Sequence, residues 1–269
     1  MNVYLFELRA LLRSFLIGLA TLLGVAVLML AGAYPIYRDS QASVEQVIDG
    51  FPPQFAALFG VNDTIFSFGG FYRFSSLYFM LVMAIMAAAW GLAAFVREKR
   101  SKTTDFLFTM PASRIRIYIA KLAACLTLVI VSGLLFLATV ALVYRGFGDD
   151  PTATAVPLPR LLLAASSLLG VGTLFVAFGS LTAVLLRRIR SISGIATALG
   201  VLGFMLVSLP EMTGDDKFRI VSPFTWFNVS EALDHGRYEA GYLALAAAVA
   251  VVCAAAGAAA YVRGDVRAE

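Results

Sequence analysis

The sequence predicts an all-α polytopic membrane protein with six transmembrane helices, and three observations carry that prediction. The chain is 60% hydrophobic and only 14% charged, with a mean hydropathy of +0.85, far from the balance of a water-soluble domain. Six apolar stretches, about 14–34, 74–96, 122–144, 161–186, 192–209 and 240–262, are long enough to cross a hydrocarbon layer of roughly 30 Å. None of them contains Asp, Glu, Lys, Arg or His. In lipid every backbone N–H and C=O must be paired within its own segment, which makes each stretch a helix. The 269 residues are read as one membrane domain.

Residues 1–13 place Leu5, Leu8, Leu12 and Phe15 on one face, the pattern of a helix lying on the membrane surface. The next run follows Arg9 and Arg13 and ends in Ala31-Gly32-Ala33, which mimics a signal peptide and its cleavage site. It is too long for an ordinary signal and is read as the first span. An outer loop over 35–73 follows, in which Pro52 and Pro53 are placed to start a short helix and the aromatic FSFGGFYRFSS suits an interface. After the fourth span the basic link Arg187–Ser191 is so short that the fourth and fifth spans must be a close antiparallel pair. A second outer loop, 210–239, begins as irregular chain at Pro210–Lys217. Ser230 and Glu231 open a short helix ending at Gly236, and Phe224, Trp226 and Phe227 suggest partial embedding.

With the N-terminus inside, 14 basic residues fall on the inner face against seven outside, and five carboxylates against 12. Cytoplasmic segments retain Lys and Arg, so both termini are expected in the cytoplasm of a bacterial plasma membrane. The basic excess adjoins the spans, where it meets anionic lipid headgroups, and does not indicate nucleic acid. Cys125 and Cys253 lie within spans and behave as small apolar side chains without metal-ligand spacing. His235, beside Asp234 in an outer loop, reads as a solvated side chain, and Asn228-Val229-Ser230 as a chance glycosylation acceptor. None of the four lysines follows a glycine, so the chain has no GxxxxGK[ST] phosphate loop. Without ionisable groups in its spans it also lacks equipment for coupling to protons, and no internal repeat supports an inverted-repeat transporter. Uphill transport would draw its energy from a partner.

The most informative segment is the inner loop over 97–121. A plain topological loop would be basic, but here Glu98 and Asp105 are its only carboxylates and Phe106, Leu107, Phe108 and Met110 form an apolar knob needing cover. The run Glu98-Lys99-Arg100-Ser101-Lys102-Thr103-Thr104-Asp105-Phe106-Leu107-Phe108-Thr109-Met110-Pro111-Ala112-Ser113-Arg114, followed by Ile117 and Lys121, resembles a pattern of the membrane subunits of type-2 ATP-binding-cassette exporters. Weaker matches lie at Glu7, at Phe51-Pro52-Pro53 to Phe59-Gly60, at Gly70-Phe71-Tyr72 and at Ser222-Pro223-Phe224. The resemblance implies the membrane-domain fold of those exporters, with an N-terminal interfacial helix and a cytoplasmic coupling helix at Thr103–Thr109. That helix would dock into separate ATPase subunits, with Glu98, Lys102, Thr103, Asp105, Phe106, Leu107, Thr109 and Arg114 as docking residues. Glu98 and Arg114 would flank it, contacting the ATPase or the N-terminal helix. The chain would hold no cofactor, ATP and Mg being bound by the ATPase subunits, and a second permease subunit, identical or different, would complete the pathway.

Small residues at four-residue spacing (Ala84/Ala88, Ala87/Gly91, Gly194/Ala198, Ala254–Ala260) let helices approach closely, within the chain or across a subunit seam. In the resembled family the second and fifth spans line the pathway. Ser75, Ser76, Ser132, Thr139, Ser166, Ser167, Ser180 and Thr182 either face a substrate route or bond their own preceding carbonyls. The apolar interior is compatible with lipids, amphipathic peptides or drugs as cargo. Two other readings stand beside the exporter: a non-transporting signalling or assembly subunit using the same loop, and a membrane-embedded enzyme, which the lack of intramembrane His, Asp or Glu argues against.

Overall fold

The structure, a computed structural model, describes residues 3–40, 66–101, 113–147, 155–186, 188–210 and 216–263, without the side chains of 98–101 and 216. Helix α1, Val3–Val27, passes through a π-helical turn, Leu28–Ala33, into α2, Tyr34–Asp39. Then come α3, Phe68–Ser101, and α4, Arg114–Gly146. The fourth span is α5, Leu158–Ala165, joined at Ser166 to α6, Ser167–Leu185. Helix α7, Ile192–Met205, ends in a 3-10 turn, and the short α8, Val229–His235, precedes α9, Ala240–Arg263. Five of these helical stretches are long and apolar enough to cross a membrane, and α7 with its 3-10 turn is a shorter sixth.

The centre of the bundle is α3, none of whose described residues is exposed. Its partner is α6, and their crossing is the most extensive in the chain. It is close because it is made of small residues. Ala84, Ala87 and Ala88 are fully buried, a Cβ on Gly91 would lie 2.6 Å from the carbonyl oxygen of Val176, and one on Gly179 would strike the carbonyl of Ala88. Backbone atoms cannot give way as a side chain tip can, so both positions require glycine. The Ala87/Gly91 pair therefore serves packing within the chain. By contrast Gly194 and Ala198 lie on the exposed face of α7.

The N-terminal segment and the start of the first span share one helix. Val3–Val27 is one continuous helix with no break near residue 13. Its buried stripe is Glu7, Leu11, Phe15, Leu22 and Ala26, while Leu5 and Leu12 are about half exposed (50% and 48%). Complementary cations allow Glu7 to be buried on this stripe, while the apolar Leu5 and Leu12 keep a surface that lipid can cover. The π turn has a local cause: Pro35 has no N–H to donate into an α-helical ladder. The turn widens to bond Tyr34 N–H to the Met29 carbonyl.

At the end of the bundle where α2 stops, Tyr34, fully buried, meets Phe68 at 5.1 Å, Phe147 at 5.4 Å and Phe71 at 5.7 Å between ring centroids. This is termed the aromatic end. In the segment before α9 the aromatic side chains are embedded as expected, with Phe224, Trp226 and Phe227 all buried, Phe224 against Phe175 and Phe227 against Tyr238. The expected short helix is α8, capped by Asn228, which accepts from the N–H groups of Ser230 and Glu231, and closed by Gly236 at φ +67°. Arg73 of α3 pairs with Asp234 at 2.7 Å, and Arg160 of α5 donates to the Asp234 carbonyl. His235 pairs with Glu231 one turn back. Tyr238 donates to the Leu163 carbonyl where α5 gives way to α6. Burial pushes its hydroxyl above the ordinary phenol range, with Ser166 and Ser167 working the other way, so it remains a proton donor there.

Candidate functional site

The loop between α3 and α4 is the candidate docking site, and the structure describes its two stems. Lys102, Thr103, Asp105, Phe106, Leu107 and Thr109 lie outside the described residues. Glu98 falls in the last turns of α3, and its side chain is likewise outside them. The stems run antiparallel at the end of the bundle opposite the rings, here termed the basic end.

Three charges from three helices meet at the base of these stems. Lys121, on the stripe of α4 that also carries Ile117, Tyr118, Cys125 and Leu128, is 0% exposed. Its Nζ donates to Glu7 Oε1 at 2.7 Å and to the Ala94 carbonyl of α3 at 2.7 Å, and lies 5.7 Å from the centroid of the Phe95 ring. Glu7, 2% exposed, takes a second, longer contact of 3.3 Å from Arg97 Nη1. One carboxylate of α1 is therefore shared between a cation of each stem. Isolated burial of any one of these charges costs several kcal/mol after relaxation, which is why they occur together. Tyr4 adds a hydroxyl contact to Thr127 of α4.

The helices run past the apolar stretches and carry ionisable groups at their ends. Lys121 was placed one residue before a span, but α4 begins at Arg114 and Lys121 stands two turns inside it. The sequence does hold a signal for the cluster, since Glu7 shares the i, i+4, i+8 stripe with Leu11 and Phe15, and Lys121 occupies an apolar stripe of α4. Arg114, expected to contact an ATPase or the N-terminal helix, donates to the carbonyl of Val262 at 3.1 Å, in the last turn of α9. A guanidinium there satisfies a helix-end carbonyl and suits the negative end of the helix dipole. Phe95, Tyr118 and Tyr261 pack their rings beside it. The beginnings of α1 and α4 and the ends of α3 and α9 thus form one assembly.

A second feature lies along α3. Met86 packs over Gly18 of α1 and Ile85 over Gly200 of α7. Between these two contacts on the helical wheel come Tyr78, Val82, Ala89 and Ala93, all half-buried. They form an apolar stripe flanked by the first and fifth spans. The eight hydroxyl residues considered for a substrate route are not part of it. Ser76, Thr139, Ser166, Ser180 and Thr182 bond carbonyls three or four residues back, and Ser75, Ser132 and Ser167 are fully buried.

No curated protein matches the chain. The family model described as ABC-2 family transporter protein matches residues 1–266, almost the full length. An all-α polytopic bundle without strands among the described residues agrees with that match, and the chain belongs to the ABC-2 transporter family as a membrane permease.

Proposed function

We propose that the chain is the permease subunit of an ATP-driven exporter, forming a translocation pathway with a second permease subunit and driven by separate ATPase subunits that dock on the 97–114 loop. ATP and Mg belong to those ATPase subunits, and this chain supplies no nucleotide site. In this reading the basic end faces the cytoplasm of a bacterial plasma membrane, with both termini on that side. The half-buried stripe of α3 between α1 and α7 supports an apolar cargo such as a lipid, an amphipathic peptide or a drug.

The observation that carries the proposal is the buried contact of Glu7 with Lys121 and Arg97 at the base of the loop. A loop whose stems are pinned together passes a push into the helices behind it, whereas unpinned stems would absorb it by local bending. The test is replacement of Asp105 or Phe106 by alanine in the assembled transporter. Transport per ATP hydrolysed is expected to fall by about tenfold or more, in line with ordinary coupling energies, while membrane insertion stays intact. Unchanged ATPase binding and transport in both variants would remove the docking assignment.

A further inference from the structure

We propose that Glu7 is the positioning residue through which movement of the loop reaches the first span, and that the π turn ahead of Pro35 is where this movement is released at the aromatic end. The inference rests on the reading of 97–114 as the docking loop and adds the route that leads away from it.

Among the described residues, the first helical stretch touches both stems of the loop by charge and then runs the length of the bundle to the ring cluster. Its contact at the basic end is directional. Glu7 Oε1 meets Lys121 at 2.7 Å, and Lys121 in turn holds the Ala94 carbonyl of α3. Packing does not need this arrangement, because Leu11, Phe15 and Leu22 already bury α1 against the bundle. Apolar side chains of similar size are commonly as good for stability as a buried ion pair. What the pair adds is register: α1 cannot slide or turn against the two stems without leaving a charge unmatched. Displacement of the stems therefore displaces α1 with them.

At its other end the same stretch is weakened and then held. The π turn over Leu28–Ala33 replaces regular bonding just before Pro35. Such turns and prolines are the usual places where a helix bends. Beyond it α2 is six residues long and is held through Tyr34 and Tyr37 against Phe68, Phe71 and Phe147. Ring contacts tolerate sliding over a range of angles and distances, unlike a charged hydrogen bond. Movement arriving along α1 thus meets a joint followed by a short segment able to shift across its partners.

The experiment uses the transporter assembled with its ATPase, with Cys125 and Cys253 replaced by alanine and spin labels at Ile36 of α2 and Leu142 of α4, both well exposed (66% and 69%). The label separation is expected to change between the nucleotide-free state and the state with a non-hydrolysable ATP analogue. In Glu7→Gln that change should vanish and transport per ATP fall by about tenfold, with the ATPase still bound. Arg97→Gln, which leaves the Glu7–Lys121 contact untouched and alters a side chain one-third exposed, guards against misfolding and should act in the same direction by a smaller factor. If Glu7→Gln and Arg97→Gln keep both the distance change and the transport ratio while Phe106→Ala loses them, the Glu7 route is overturned and the docking loop stands. If Phe106→Ala loses neither, the docking reading fails and the route with it.

Discussion

The two ends of the bundle are held by opposite kinds of force. At the basic end a carboxylate, an ammonium and a guanidinium from three helices meet within hydrogen-bond reach, and the contact is closed to water around Lys121 and Glu7. At the aromatic end α2, the start of α3 and the residue that closes α4 meet through rings, with ion pairs such as Arg73–Asp234 lying further out and partly in solvent. A buried charge contact has one good geometry and a steep penalty for leaving it. Ring stacks have many geometries of similar energy. On the proposed reading, in which the ATPase acts at the basic end, this division makes the molecule stiff where force would enter and compliant where a change of shape would appear.

The comparison breaks most readily at Lys121. Lys121→Ala leaves Glu7 buried with the longer Arg97 contact and also removes the side-chain hydrogen bond to the Ala94 carbonyl. A loss of about 3–5 kcal/mol is expected, the usual cost of removing one partner of a buried pair. Thermal denaturation in detergent should show it as a lowered midpoint. A variant as stable as the parent would mean that water reaches Glu7 and that the basic end is not the stiff one.

The aromatic end should yield less and differently. Tyr34→Leu keeps a large apolar side chain in a fully buried site but removes three ring contacts, each worth on the order of 1 kcal/mol beyond area. The expected result is a stability loss smaller than that of Lys121→Ala, together with a broader distribution of distances from Ile36 across to α4. A loss larger than that of Lys121→Ala would reverse the ranking of the two ends.

What the sequence made legible follows the same division. The middles of the spans were readable because lipid leaves the backbone no alternative to helix, and four of the six, 14–34, 74–96, 122–144 and 240–262, fall within helical stretches that extend beyond them at one or both ends. The helix at 229–235 was readable from its polar start and its closing glycine, Gly236 at positive φ, although the side chain that caps it is Asn228 and not the expected Ser230. The charged base of the 97–114 loop was not. Hydropathy treats Lys121 and Glu7 as boundaries, and only the approach of α3, with Arg97 90 residues from Glu7 and Ala94 27 residues from Lys121 in sequence, turns them into interior residues. The ring cluster was half legible: FSFGGFYRFSS announced an interface, but Tyr34 as its hub depends on Phe147 arriving at the end of α4. Long-range complementarity is what a single chain conceals.

The smallest expected effect lies at the surface of the aromatic end. Arg73 Nη2 and Asp234 Oδ1 stand 2.7 Å apart, but the Asp234 side chain is 54% exposed. Solvent and salt screen such a pair, and exposed ion pairs are worth at most about 1 kcal/mol. Asp234→Asn keeps an oxygen able to accept from Arg73 and leaves untouched the main-chain carbonyl that Arg160 reaches, so α8 stays in place. The stability change should therefore stay below about 1 kcal/mol and shrink further in high salt. Lys121→Ala, altering a pair that is not exposed, should keep its cost across the same salt range. If both losses fade alike with salt, the ion pairs at the two ends are equally wet and the division between a stiff end and a compliant one disappears.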